Sequence, residues 1–168
     1  MADDEHRGSE IDRVLAENQR YVEAFDRSAL TAAPLSGLAI LACMDARLDV
    51  EEALGLRTGD AHIIRNAAGL ATVDAIRSLI VSQALLGTDQ ILVIQHTGCG
   101  LLGVDETALR DDLARSTGQR LDIAFGSFPD LEQNLRRTVD RLRTHAWLRG
   151  TVRGMIFEVE TGRVREVV

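Results

Sequence analysis

The sequence predicts an α/β protein with a mostly parallel central sheet flanked by helices and an amino-terminal helical arm. Short aliphatic runs alternate along the chain with segments of helical periodicity. One run, residues 91–94, is almost wholly aliphatic, as expected of a parallel strand that helices cover on both faces. The composition is rich in aliphatic residues and only 4% aromatic, and 168 residues are enough for one domain with a sizeable core.

The first predicted element is a helix that begins at a capping box. Ser9 and Asp12 supply the box, and the helix runs to about residue 25. A linker at residues 31–37, which contains Pro34, follows the helix. Residues 1–37 are therefore predicted to form a tail, a helical arm and a linker. One side of the helix is an apolar stripe made of Ile11, Val14, Leu15, Val22 and Phe25.

Residues 38–168 are predicted to form a single α/β domain, whose helices are delimited by capping and turn residues. Gly55 ends a short helix, Thr72 caps a longer one that Gly87 stops, and Pro129 precedes the last helix. The predicted elements are, in order, strand 38–42, helix 50–54, strand 61–64, helix 72–85, strand 91–94, helix 104–115, helix 131–145, and strand 152–159 with a hairpin return at 163–167.

The composition excludes several function classes. All 19 basic residues are arginine, so chemistry that needs a lysine, such as a P-loop or a Schiff base, is absent. A net charge of −7 spread along the chain argues against a nucleic-acid partner. The apolar runs are too short to span a bilayer, and no signal-peptide pattern precedes the first helix. We therefore expect a cytoplasmic protein that has no membrane partner and keeps its cysteines reduced.

Two short strings contain the residues best suited to chemistry. Cys43 is followed by Asp45 and Arg47, and His96 is followed by Cys99. Both strings come at the ends of predicted parallel strands, the edge of an α/β sheet where ligands bind. Glycines flank Cys99 and allow one loop to present both residues of the second string. Two thiolates and one imidazole would hold zinc with a fourth position open to water, which is the catalytic pattern.

Simpler interpretations exist for each residue taken alone. Cysteine often serves as a small buried side chain, and a lone histidine is more often hydrogen-bonded in a core than bound to a metal. A disulfide between the two cysteines is disfavoured in a reducing compartment. Asp45 and Arg47 could form a surface ion pair of little energetic value. The conjunction of both strings with the topology favours the zinc site.

These residues resemble the β-class carbonic anhydrases, in particular their compact prokaryotic branch. The resemblance spans roughly residues 38–167 and implies the family's fold, a Zn²⁺ cofactor and the reversible hydration of carbon dioxide to bicarbonate. It also implies that the amino-terminal arm wraps a neighbouring subunit, so we expect a homodimer or a homotetramer. The matching segments are Cys43-x-Asp45-x-Arg47, Gly59 to Ala67, Ile76 to Leu79, His96 to Gly100, and Arg153 to Phe157.

The implied chemistry assigns Cys43, His96 and Cys99 to the metal and Asp45 and Arg47 to catalysis. Two thiolates make zinc a weak Lewis acid, so the zinc-bound hydroxide that attacks carbon dioxide needs help. Asp45 can only accept hydrogen bonds and would orient that hydroxide. Arg47 would hold Asp45 in a forked ion pair. If Arg47 moved away, Asp45 could itself occupy the fourth zinc position, and the sequence leaves both states open.

Two departures from the family pattern and two other functions stay open. Ala68 stands where the pattern has glycine and Val73 where it has an acid, which bears on substrate preference and rate rather than on metal binding. The same scaffold could hydrolyse carbonyl sulfide or carbon disulfide, or, in a different class, the site could be a non-catalytic zinc or redox sensor.

Of the other histidines, His62 is a structural residue or a proton carrier, His145 suits a helix carboxyl end, and His6 lies in the tail.

Overall fold

The computed structural model describes residues 9–168, so residues 1–8, with His6 and the predicted tail, lie outside the described part. The chain divides after Thr31 into two compact units. The first contains helix α1 (Glu10–Glu23), which begins at the predicted capping box. The Asp12 backbone N–H donates to Ser9 Oγ over 3.1 Å, and the Ser9 N–H donates to Asp12 Oδ2 over 3.0 Å.

The second unit contains a five-stranded sheet of mostly parallel strands, which confirms the predicted fold class. The strand order is β2-β1-β3-β4-β5, and only the β4–β5 pair is antiparallel. The elements are β1 (Leu38–Cys43), α2 (Val50–Leu54), β2 (Ala61–Asn66), a 3₁₀ turn (Ala67–Gly69), α3 (Val73–Leu86), β3 (Gln90–His96), α4 (Glu106–Thr117), α5 (Leu131–Arg143), β4 (Thr151–Phe157) and β5 (Val164–Glu166).

Alternate residues of the strands supply two hydrophobic cores, one on each face of the sheet. On the first face, Leu41 and Val93 pack with Leu79 of α3 and Leu135 of α5. On the second face, Ile40 and Ile94 belong to a core that includes Val50 of α2, Phe128 and both cysteines. The thiols therefore lie at the border between the second core and the carboxyl edge of the sheet.

Strands β1 and β3 are longer than predicted and contain the first residue of each string. Cys43 is the last residue of β1 and His96 the last of β3, and these strands are hydrogen-bonded neighbours. Strand β3 continues through polar Gln95 because α5 satisfies that buried side chain, as Asn134 Nδ2 donates to Gln95 Oε1 over 3.1 Å. Among helices of residues 9–168, none is both long and apolar enough to cross a membrane.

Candidate metal centre

Cys43, His96 and Cys99 meet at the carboxyl edge of the sheet. Their ligating atoms all lie within 4.8 Å of one another, and the group could hold a metal ion. The three residues are only 4%, 1% and 8% exposed, so the cluster is almost closed to bulk water. Both cysteines are free thiols. The sequence prediction that these three residues converge is therefore matched by their placement.

The donor set fits zinc. The His96 Nδ1–H donates to the Thr97 carbonyl oxygen over 2.9 Å, which leaves the Nε2 lone pair for a metal. Within the described chain, His96 Nε2 is buried and has no hydrogen-bond partner. A buried polar atom without a partner is costly, and a bound cation would satisfy it. Two thiolates with one imidazole are a set of ligands that zinc prefers.

The electrostatics of the cluster also favour a cation. The adjacent Cys43 sulfur raises the pKa of His96. Burial opposes ionisation of Cys43, but the neighbouring His96 and nearby backbone N–H groups still lower the pKa of this thiol. Burial, together with Cys43 close by, raises the pKa of Cys99. Two thiolates therefore repel each other here, and a divalent ion between them would allow both to ionise.

Asp45 is held beside this cluster by a forked ion pair with Arg47. Arg47 Nε donates to Asp45 Oδ1 over 2.9 Å, and Nη2 donates to Oδ2 over 2.8 Å. The Arg47 backbone N–H adds a third bond to Oδ1 of 3.0 Å. These bonds hold the pKa of Asp45 far below its usual range, so the side chain is ionised. Arg47 Nη2 also donates to the Gly98 carbonyl over 3.0 Å, which ties the first string to the second.

Two residues that the sequence reasoning did not single out fix the backbone around the cluster. Arg65 Nε donates to the Cys43 carbonyl over 2.9 Å, and its Nη2 donates to the Asp45 carbonyl over 2.7 Å. The Asn66 side chain accepts from the Leu70 N–H and donates to the Leu70 carbonyl, both over 2.8 Å. In the sequence both residues lie in the matching segment Gly59 to Ala67, as a polar pair directly after the predicted strand 61–64, but no role was assigned to either.

The 3₁₀ turn packs tightly against the strand ends and contains the first departure from the family pattern. A Cβ on Gly69 would lie 3.0 Å from both the Cys43 nitrogen and the Ile94 carbonyl oxygen. Ala68 has a φ of 62°, which alanine adopts at a cost of about 1–2 kcal/mol. Its methyl group is buried and lines the pocket beside the cluster, whereas exposed Val73 begins α3.

A pocket of about 400 Å³ opens beside the cluster. Its size suits a small substrate, and most of the side chains around it are apolar. The lining residues are Cys43, Met44, Asp45, Ala67, Ala68, Cys99, Gly100, Leu101 and Phe125. A small apolar molecule that enters this pocket therefore reaches the thiols and the carboxylate together.

The other histidines of the described chain lie outside the cluster. His62 Nδ1 is 2.7 Å from Ser82 Oγ, and its Nε2 is 2.8 Å from the Ala32 carbonyl oxygen. Both ring nitrogens are thus engaged, which favours the structural role over proton transfer. His145 follows α5, and its Nδ1 accepts from the Trp147 N–H over 3.3 Å.

Comparison with known proteins points to one family. A family profile described as carbonic anhydrase matches residues 38–121. The protein named β-carbonic anhydrase 1 from Mycobacterium tuberculosis is 39% identical over 93% of this chain and 96% of its own length. A crystal structure of carbonic anhydrase from Streptococcus mutans has a TM-score of 0.91, 39% identity, and covers 96% of this chain and 99% of its own. A carbon disulfide hydrolase from Acidithiobacillus thiooxidans is 37% identical over 75% of this chain and 74% of its own length.

Proposed function

The chain belongs to the β-carbonic anhydrase family, whose members are zinc enzymes, and we propose that Cys43, His96 and Cys99 hold the zinc ion. The reaction is the reversible hydration of carbon dioxide to bicarbonate and a proton. We assign Asp45 and Arg47 to orientation of the nucleophile. The observation that carries this assignment is the forked Asp45–Arg47 pair, with Asp45 Oδ2 at 3.7 Å from His96 Nε2.

The ligand residues divide the task of holding the ion. When bound, zinc supplies a water of lowered pKa and so a hydroxide nucleophile at neutral pH. His96 contributes a neutral imidazole whose orientation is fixed by the Thr97 carbonyl. Cys43 is fixed through its own carbonyl, which accepts from Arg65. Cys99 lies on the loop after β3, where Gly98 has a φ of 63° and so permits the turn that brings this thiol back.

Asp45 acts as a hydrogen-bond acceptor. Because its carboxylate is ionised, Asp45 Oδ2 can accept a hydrogen bond from the attacking hydroxyl group and cannot donate one. This contact directs an oxygen lone pair towards the carbon of carbon dioxide. One C–O bond forms, one C=O π bond opens, and the product is bicarbonate. The proton released when water is ionised leaves to solvent.

Arg47 is a positioning residue. It occupies both carboxylate oxygens of Asp45 and is anchored by the Gly98 carbonyl. In this arrangement Asp45 is paired with Arg47 and stands beside the ligand set rather than within it. The alternative in which Asp45 takes the fourth metal position requires this pair to break.

The sulfur substrates are less well supported. A solved apo structure of a carbon disulfide hydrolase matches this chain with a TM-score of 0.69 and 27% identity, against 0.91 and 39% for the Streptococcus mutans carbonic anhydrase. A purely structural or redox-sensing zinc site would have no use for the Asp45–Arg47 pair and usually takes four protein ligands.

We also propose that the protein is a homodimer, or a homotetramer built from two dimers, in the cytoplasm. The apolar stripe of α1 supports assembly, since its side chains are exposed, Ile11 by 69% and Leu15 by 60%. Closed symmetry is the usual way to cover such a surface in a soluble protein. The cytoplasmic location is supported by two free thiols, which must stay reduced to bind metal.

The test of the reaction is a stopped-flow pH-indicator assay of carbon dioxide hydration with zinc-loaded protein. A parallel assay measures sulfide released from carbonyl sulfide, and Cys99→Ala serves as the inactive control. Hydration that is fast in the wild type and absent in the control supports the proposal. Sulfide release without hydration would overturn the proposal in favour of the sulfur substrates. The absence of both activities would show that the protein does not catalyse either reaction.

A further inference from the structure

Glu106 begins α4 outside the metal centre, yet its carboxylate accepts hydrogen bonds from three consecutive backbone N–H groups of a segment that lines the substrate pocket. The Gly126 and Ser127 N–H groups donate to Oε1 over 2.7 and 2.8 Å. The Phe125 N–H donates to Oε2 over 3.1 Å. Charged acceptors make hydrogen bonds about twice as strong as neutral ones, so one side chain fixes three successive peptide units.

Arg110, one turn further along α4, holds the same segment through different groups. Its Nη2 donates to the Ile123 carbonyl over 2.8 Å, and its guanidinium carbon lies 5.9 Å from the centre of the Phe125 ring. Arg110 Nη2 is also 3.7 Å from Glu106 Oε2, so the two side chains stand together. No residue of α4 is buried. The helix therefore holds residues 123–127 through a polar clamp made of Glu106 and Arg110.

The clamped segment joins two sides of the pocket. Gly126 has a φ of 82°, and a Cβ there would lie 2.5 Å from Leu70 Cδ1, so its backbone packs directly on the residue that follows the 3₁₀ turn. Phe128 pairs with the loop after Cys99, since its N–H donates to the Leu101 carbonyl over 3.3 Å and its carbonyl accepts from the Gly103 N–H over 2.9 Å. Phe125, which directly precedes these anchors, contributes the one aromatic side chain among the described residues that line the pocket.

We propose that Glu106 is a positioning residue for carbon dioxide hydration. Its carboxylate fixes residues 125–127 and thereby holds the Phe125 ring in the wall of the pocket. The inference rests on the proposed function of the metal centre. Carbon dioxide is apolar, so its binding depends on the apolar surface it meets. Displacement of the ring removes contacts made equally in the ground state and the transition state, which raises KM and leaves kcat nearly unchanged.

The experiment compares zinc-loaded Glu106→Ala and Phe125→Ala proteins with the wild type. We expect Glu106→Ala to raise KM for carbon dioxide about three- to tenfold and to leave kcat within about twofold of the wild-type value. This pattern is expected when a contact made equally in the ground state and the transition state is lost. Phe125→Ala should give a similar rise, and the double variant should add nothing further, because both changes remove the same contact. Asp112→Ala is the matched control, since Asp112 lies on the same helix and forms an exposed ion pair with Arg115.

A second measurement reports the clamp without reference to catalysis. Amide hydrogen exchange at residues 125–127 should become at least about tenfold faster in Glu106→Ala and stay unchanged in Asp112→Ala. Glu106→Gln keeps the shape of the side chain and should give an intermediate effect, so it replaces the alanine variant if that protein does not fold. Faster exchange with an unchanged KM would overturn the positioning role, as would additive effects of the two substitutions. If the wild type does not hydrate carbon dioxide, the proposed function fails, and exchange alone then shows whether the clamp exists.

Discussion

Asp45 Oδ2 lies 3.7 Å from His96 Nε2, the ring nitrogen that points its lone pair into the cluster of thiols. The carboxylate is 18% exposed, whereas the imidazole is only 1% exposed. The carboxylate that we propose orients the nucleophile therefore lies where the three proposed ligand residues meet the pocket. In the proposed mechanism, this placement would let Asp45 contact the reacting oxygen without serving as a ligand.

Removal of any one ligand should abolish zinc binding. We expect one zinc per chain in the wild type and almost none in Cys43→Ala, His96→Ala or Cys99→Ala, because two ligands do not hold the ion firmly. Metal content after gel filtration measures this. His62→Ala is the control, since His62 bonds to Ser82 and Ala32 and should keep its zinc. Full zinc occupancy in Cys99→Ala would refute the ligand assignment.

Loss of the Asp45–Arg47 pair should lower turnover while zinc is kept. We expect Arg47→Ala to reduce kcat about 10- to 100-fold and Asp45→Asn to reduce it by at least as much, in line with other partners of metal sites. Stopped-flow kinetics and metal analysis on the same samples check both parts. Arg77→Ala breaks the exposed Asp74–Arg77 pair and should leave both quantities unchanged. Zinc loss in the Arg47 variant would mean that the residue supports the metal site rather than the nucleophile.

Alanine substitutions at Gly69 and Gly55 distinguish the cost of backbone strain from the cost of a steric clash. Both glycines have a left-handed φ, 61° and 66°, but only at Gly69 would a Cβ meet backbone atoms of Cys43 and Ile94. We expect Gly55→Ala to lower the free energy of unfolding by about 1 kcal/mol and Gly69→Ala by about 2–4 kcal/mol. Urea unfolding measures the difference. Only the Gly69 variant should also bind zinc more weakly. Equal losses of unfolding free energy in the two variants would contradict the close approach of the turn to Cys43.

The sequence predicted the sheet and the convergence of Cys43, His96 and Cys99 because aliphatic strands and their carboxyl ends follow from local pattern and topology. It did not predict the 3₁₀ turn or the clamp of Glu106. In the sequence, residues 105–115 resemble an ordinary solvated helix face. Only tertiary packing shows that one of those charges meets three N–H groups about twenty residues away along the chain. Polar contacts to a distant backbone leave no periodic signal.

The Glu106 clamp should make part of the stability depend on pH. Three backbone N–H groups hold the pKa of Glu106 below its usual range. A carboxyl group with a depressed folded-state pKa stabilises the protein fully above its unfolded pKa of about 4.3, and this contribution falls as the pH drops through the folded-state pKa. The difference in unfolding free energy between the wild type and Glu106→Gln should therefore be constant at neutral pH and shrink below pH ~4. A difference that does not change with pH would contradict the ionised clamp.

Charge placed in the apolar stripe of α1 should disrupt assembly. Leu15 and Val22 lie on the stripe and are 60% and 59% exposed in the single chain, so a partner surface would cover them in an oligomer. We expect Leu15→Glu with Val22→Glu, or deletion of the residues before Pro34, to give monomer or aggregate with reduced activity although every zinc ligand is retained. Ala16→Glu is the control, because position 16 faces away from the stripe at helical spacing and is exposed. Light scattering coupled to gel filtration gives the mass of each protein. A wild-type mass equal to one chain, with full activity, would contradict assembly through this helix, because the active protein would then be a monomer whose stripe contacts no partner.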